Sequence, residues 1–436
     1  MKAALGIRRF WFTLVAVAFV SCSTPQTPLV DDGGGSIDTL PTPVDTVPPT
    51  RVTALQLVFD PSTGAAILEW DAPHDDSVTA RVDRYEIRYG FTHGFVPPRF
   101  WELSTPLSDP PVPDDPGTRQ RYVFTATEKG KDLYVGVRSY DRANNRSPNS
   151  DIVTTHITGY QFTGRCVDVL TGAPVEGLHA QLSSGVVFDH VTDANGEFQQ
   201  TDVYPGALSA LVAGTVAGNR YHVITQIFDV DSDIEQTFYM IRYQPTVNPS
   251  LGGASVLALL EYLTGTDTGD RIFATWHSHP VPVYAPEFVN GLGMDYGTAA
   301  REGAQLWMDR TGKPLFTFVS TPPDTGVIIH YRTRADMPGP LVAVTRATTG
   351  ADKHPIRDDI DIVNDFNNQI TLFKVMAHEL GHTIRLGHLT YGWAMMYNGQ
   401  PLPSDISEDE VNVVILHYSM PARVDMAIYA TQAPPP

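Results

Sequence analysis

Residues 50 to 243 read as a succession of short runs in which apolar and polar residues alternate. Turn-forming Gly, Pro, Asn and Asp separate the runs. Successive side chains of a strand point to opposite faces, so this pattern predicts half-buried β-strands. After about residue 250 the texture changes. Apolar residues then fall three and four apart in several stretches, which predicts amphipathic helices with strand-like runs between them. A chain of 436 residues is long enough for about three domains. The pattern therefore divides the chain into two β-rich parts and a third part that mixes helix and strand.

In residues 50–157, "AAILEWDAP", "DRYEIRYG" and "DLYVGVRSY" are strands, and "RSYDRANNRSP" carries the last into a polar turn. Trp70, Tyr85, Tyr89 and Tyr134 are expected in the core. "STPLSDPPVPDDPGT" reads as a long loop. This stretch resembles a fibronectin type III domain, which implies a β-sandwich of about seven strands around a buried Trp. Residues 158–243 begin again with "FTGRCVDV", a "TGAPV" turn, a "TDANGEF" turn and "VYPG". Gly172, Asp193, Gly196 and Pro205 are the turn residues. This second stretch looks like the carboxypeptidase regulatory-like β-sandwich. Neither part carries a nucleophile or metal cluster, so both read as spacers or docking modules.

The formal net charge of −19 argues against a nucleic-acid partner, which requires basic patches. Residues 1–22 read as an export signal: Lys2, Arg8 and Arg9, then an apolar run from Phe10 to Val20. "FVSC" resembles a bacterial lipobox and implies a lipid on Cys22, hence membrane association through that lipid. The expected location is extracytoplasmic: a lipoprotein of the bacterial outer membrane or cell surface, otherwise a secreted protein. Residues 23–49, rich in Pro, Thr, Gly and Asp, read as a disordered tether. The chain has two cysteines. Cys166 sits in an alternating strand pattern and reads as a small buried hydrophobe. Oligomeric state is not legible.

In residues 250–422, "LGGASVLALLEYLTG", "YGTAAREGAQLWMDRTG", "NNQITLFKVMAHELGHTI" and "SEDEVNVVILHYS" are predicted helices. Ile370, Phe373, Ala377, Leu380 and Ile384 would share one face of the third. Ser407 and Glu410 suit a capping box at the start of the last. "LFTFVS", "GVIIHYRT", "PLVAVTRA" and "DDIDIVND" are strand candidates. Residues 423–436 are assigned to a C-terminal tail, with "ATQAPPP" frayed.

"HELGHTIRLGH", His378 to His388, carries the chemistry. His378 and His382 lie four apart on a helix and project from one face, at the spacing of two zinc ligands. Glu379 stands beside the first and can reach a water at the metal. His388 is the candidate third ligand. Continued helix would leave it about 120° away from His382 and about 9 Å further along the axis. The chain must therefore leave the helix after Ile384 and turn back. "YGWAMMYNG" follows.

These motifs resemble those of the matrixin branch of the metzincin zinc peptidases, over about residues 270–420. The resemblance implies an α+β catalytic domain with a mixed twisted sheet and an active-site helix, so the expected whole is two β-sandwich domains followed by that domain. It implies one catalytic Zn2+ on His378, His382 and His388, with Glu379 as general base, and Met396 in a turn below the metal. It implies a protein or peptide substrate added as a strand to "PLVAVTRATTG". Arg385 departs from the pattern: it stands where matrixins have a glycine of positive φ, and arginine there costs roughly 1–2 kcal/mol. Either Arg385 takes the left-handed bend or Gly387 carries it. Four alternatives stay open, the first that aromatic residues of the β-sandwiches bind carbohydrate. The chain is a surface adhesin or binding protein whose zinc-binding domain is proteolytically inactive; "DDIDIVND" holds Ca2+; and His277 and His279, on one strand face, hold a second metal.

Overall fold

The computed structural model describes residues 45–92, 99–264, 272–421 and 423–429. The expected signal, Cys22 and most of the tether lie outside these residues, as does "ATQAPPP". No helix among the described residues is long and apolar enough to cross a membrane.

The protein is mostly β-sheet, in several sandwich-like layers with few helices. The first part is a three-stranded sheet (Thr53–Asp60, Ala65–Asp71, Arg119–Thr125) facing a four-stranded one (Thr105–Pro106, Arg84–Thr92, Lys131–Tyr140, Val153–Ile157). Alternation along Ala65–Asp71 puts Ala66, Leu68 and Trp70 inward, all fully buried. Trp70 meets Tyr85 edge-on at 5.1 Å between ring centroids. The expected long loop after Ser104 begins with a two-residue strand, Thr105–Pro106, that pairs with Arg88 and Tyr89.

The second part also has two sheets, of four and three strands. Tyr160–Asp168 is central in the smaller sheet, antiparallel to Glu197–Val203 and parallel to Ile234–Met240. Cys166 on that strand is buried and free, and burial pushes its thiol up to about 12. Gly196 has φ +73, and a Cβ there would lie 2.3 Å from the Cys166 carbonyl oxygen, so this turn admits only glycine.

The third part is built on a five-stranded sheet. Its order is Phe316–Phe318, Val281–Tyr284, Gly326–Arg332, Pro355–Val363, Ala343–Thr349; the last, an edge strand, is antiparallel to its neighbour and the others are parallel. Four helices accompany it: Val256–Thr264, Tyr296–Thr311, Gln369–Thr383 and Glu408–His417. Tyr296–Thr311 crosses the histidine-bearing helix Gln369–Thr383 at close range. A Cβ on Gly303 would lie 2.9 Å from the backbone nitrogen of Ala377, and Trp307 Nε1 donates to the Ala377 carbonyl at 2.8 Å.

Three expectations need correction here. Ile370 is 64% exposed; the buried stripe of the histidine helix runs through Leu372, Val375, Met376, Ala377 and Leu380. Covered by the sheet and by a second helix, it buries a wider stripe, rotated away from Ile370. His277 and His279 do not lie on a strand, since Val281–Tyr284 starts after them. Their rings diverge, His277 toward Asp352 and His279 toward Tyr418. The segment assigned to a tail from 423 is folded: Arg423–Asp425 pairs with Ile272–Ala274, and buried Tyr429 donates its hydroxyl to the Tyr239 carbonyl at 2.8 Å.

Candidate metal centre

Asn368 starts the histidine helix by accepting the Thr371 amide at 3.0 Å. One helical turn separates His378 from His382, so their rings leave the same face. Each ring is then fixed by a backbone carbonyl. His378 Nδ1 donates to Met395 O and His382 Nδ1 donates to Leu386 O, both at 2.7 Å. A ring that donates from Nδ1 presents a lone pair at Nε2. Burial depresses both imidazoles, His378 to about 4 and His382 to about 3, so both are neutral near pH 7.

The helix ends in a left-handed turn. Arg385 itself takes φ +72, and Gly387 is not among the positive-φ residues. The Arg385 amide donates to His382 O at 2.9 Å and the Leu386 amide to Gly381 O at 3.1 Å. This pair of bonds is the Schellman closure, with Arg385 where glycine is usual. Gly387 serves close approach: its amide donates to Leu263 O at 2.7 Å, and a Cβ would lie 2.8 Å from that oxygen. Arg385 is held from its far end. Its Nη2 donates to Asp358 Oδ1 at 3.1 Å, and its guanidinium stands 5.4 Å from the centre of the Trp276 ring. Asp358 is fully buried; burial pushes its carboxyl up to about 6, and Arg385 opposes the rise.

The turn brings His388 back. Its Nε2 lies 3.3 Å from His378 Nε2 and 3.2 Å from His382 Nε2. Tetrahedral ligands at the zinc–nitrogen distance of ~2.0–2.1 Å stand about 3.3 Å apart. Two unprotonated Nε2 lone pairs meet a third nitrogen, and one proton on His388 could not satisfy both. A divalent cation satisfies all three, so the donor set suits zinc.

Glu379 is buried beside this cluster and its Oε2 accepts from Thr345 Oγ1 at 2.6 Å. Burial pushes its carboxyl up to about 7; the Thr345 bond works against the rise. Thr345 belongs to the edge strand, so the strand and the helix meet at the carboxylate. A cleft of about 470 Å³ opens here between the edge strand, the three histidines and the segment from Tyr397 to Leu402.

Met396 lies beneath, fully buried. A Cβ on Gly381 would sit 2.3 Å from Met396 Sδ and 3.0 Å from the Trp307 ring, so the glycine of "HELGH" makes room for the methionine. Buried Glu410 fixes this turn by accepting the amides of Met395 at 3.1 Å and Met396 at 2.8 Å. The same carboxylate completes the capping box with Ser407. Thr345, Asp358 and Glu410 as partners of the site were not read from sequence. Only Glu410 carried a signal, as the expected capping-box residue.

The acids of "DDIDIVND" are engaged by side chains. Asp359 accepts from Arg357 and His330, and Asp361 from Arg332 and Arg346. The groups suited to a metal among the described residues are the three-histidine set and His277 with Asp352 and His354.

No family model matches the chain. No curated protein matches it. Among solved structures, the major pilin subunit of Bacillus cereus aligns at 10% identity over 41% of this chain, with a TM-score of 0.21. The chain spans 64% of that pilin's length. The group B streptococcus pilus 2b backbone protein aligns at 12% identity over 44% of this chain and 98% of its own length, also at 0.21.

Proposed function

We propose that residues 250–422 are a matrixin-like metzincin domain and that the protein is a cell-surface or secreted zinc endopeptidase. The observation that carries this reading is the meeting of three imidazole Nε2 atoms at 3.2–3.3 Å with the buried Glu379 carboxylate alongside. His378, His382 and His388 would hold the ion. When bound, zinc supplies Lewis acidity, lowering the pKa of a water and polarising a carbonyl. Glu379 takes the proton of the attacking water and delivers it to the leaving amine nitrogen as the C–N bond breaks. Thr345 holds the carboxylate at one oxygen and leaves the other to the proton. The edge strand lines the cleft with main-chain groups that its one partner strand does not use, and an extended peptide can pair with them.

Arg385, together with the two β-sandwiches, was what favoured an inactive binding protein. Arg385 takes the left-handed region itself and so does not prevent the turn that carries His388; the two β-sandwiches remain the ground for the binding-protein reading. The test is cleavage of an unfolded protein by the zinc-loaded full chain. Glu379→Gln is expected to keep the metal and to lose cleavage by at least about 100-fold. Wild-type protein that binds zinc tightly and cleaves nothing returns the chain to the binding-protein reading.

A further inference from the structure

A second cluster lies where the segment before the Val281–Tyr284 strand meets the hairpin turn between the edge strand and Pro355–Val363. His277 Nε2 lies 2.9 Å from Asp352 Oδ2, and the His277 and His354 rings stack at 4.0 Å between centroids. One ligand atom from each of His277, Asp352 and His354 falls within 4.8 Å of the others. Two features orient these groups. His354, only 6% exposed, donates from Nδ1 to the Thr275 carbonyl at 2.7 Å, which leaves a lone pair at Nε2. Asp352 accepts the His354 amide at 3.1 Å through Oδ1, leaving Oδ2 for the cluster. Gly350 leaves room for this carboxylate, since a Cβ there would lie 2.7 Å from Oδ1.

We propose that His277, Asp352 and His354 form a second metal site for a zinc-class divalent cation. Two imidazole nitrogens and one carboxylate oxygen suit a borderline ion. Calcium and magnesium favour all-oxygen ligand sets, whereas two of the three donors here are imidazole nitrogens. The ion takes the place of the hydrogen between His277 Nε2 and Asp352 Oδ2, with His277 bound as the tautomer that carries its hydrogen at Nδ1. Water completes the coordination, because His277 and Asp352 are exposed. The site staples the edge-strand hairpin to residues 275–277. Within that segment Trp276 donates from Nε1 to the Thr383 carbonyl at 2.8 Å, at the end of the histidine helix. A metal here would therefore steady the support of the Arg385 turn from outside the three-histidine site.

This proposal stands apart from the proposed peptidase activity and is tested without it. The full chain is stripped with chelator, reloaded with zinc alone, and its metal counted. Wild type is expected to hold about two zinc ions per chain. His277→Ala and Asp352→Asn are expected to hold about one, as is the double variant His378→Ala/His382→Ala. Exposed His277 is the primary variant because its loss leaves the buried His354 still bonded to the Thr275 carbonyl, and Asp352→Asn, which keeps the stacked rings, is its check. Equal zinc content and affinity in wild type and His277→Ala overturn the second site. A double variant that still holds as much zinc as wild type, while His277→Ala has lost an ion, instead overturns the three-histidine reading and leaves this one standing.

Discussion

Replacing Arg385 by glycine removes a left-handed arginine, a gain of roughly 1 kcal/mol. It also strands Asp358, which is fully buried against that guanidinium. Breaking one side of a buried ion pair costs about 3 kcal/mol or more. The loss exceeds the gain, so Arg385→Gly is expected to lower stability by about 2 kcal/mol, read by urea denaturation. Arg385→Gly/Asp358→Leu, which leaves no orphaned charge, is expected to recover most of it. Asp358 also sets a pH dependence. Its folded value, about 6, lies above the unfolded value near 3.9. Between these limits the native state keeps a proton that the unfolded state has lost, so stability from this group falls as pH rises through that window. Unfolding curves of metal-free wild type and Asp358→Asn are expected to converge below about pH 4 and to differ most above about pH 6. The fate of Arg385 was legible only as a question. Helix periodicity shows that the chain must turn there, but Asp358 lies on a strand 27 residues earlier, and nothing local links the two.

The elements around the site were more legible than their contacts. The histidine helix declares itself by spacing and the helix from Glu408 by its capping box, both local signals. The second task of Glu410, accepting the Met395 and Met396 amides, is tertiary and leaves no mark in the pattern. Glu410→Ala is expected to destabilise by about 3 kcal/mol and to speed zinc loss, because two buried amides lose their acceptor. Denaturation and zinc release to a chromogenic chelator measure the two effects. Gly381→Ala tests packing against propensity. Alanine improves helix propensity by up to about 1 kcal/mol, but the Cβ would meet Met396 Sδ at 2.3 Å. Overpacking costs about 1–3 kcal/mol, so a net loss in melting temperature is expected. Ile370 marks the limit of periodicity: it keeps the spacing of a core position yet stands in solvent, because the buried direction is set by what packs on the helix.

Between the two sandwiches, His156 is clamped by carboxylates from both. Its Nδ1 lies 2.9 Å from Asp132 and its Nε2 2.8 Å from Asp202. Only an imidazolium donates from both nitrogens. Asp202, then Asp132, hold its pKa above the usual histidine value. The clamp is fully present below about pH 6.5 and is lost as pH rises through the elevated folded value. The ring is 41% exposed, so solvent weakens the pair. Amide exchange at Gly159, which donates to Asp202 Oδ1, is expected to quicken on the alkaline side in wild type. In His156→Leu it is expected to be fast throughout, beyond the intrinsic pH trend of exchange.

The pairing of Ile272–Ala274 with Arg423–Asp425 joins strands about 150 residues apart. Contacts of such sequence separation form late, because loop closure precedes their reward. The turn under the histidines, the helix that caps it and the strand Arg423–Asp425 all lie C-terminal to "HELGH". During synthesis from the N-terminus the first sandwich, which has its own core, can fold while the three imidazoles are still unassembled. Order of emergence thus acts as a clock: the nascent chain carries "HELGH" before it carries the residues that complete and support the site.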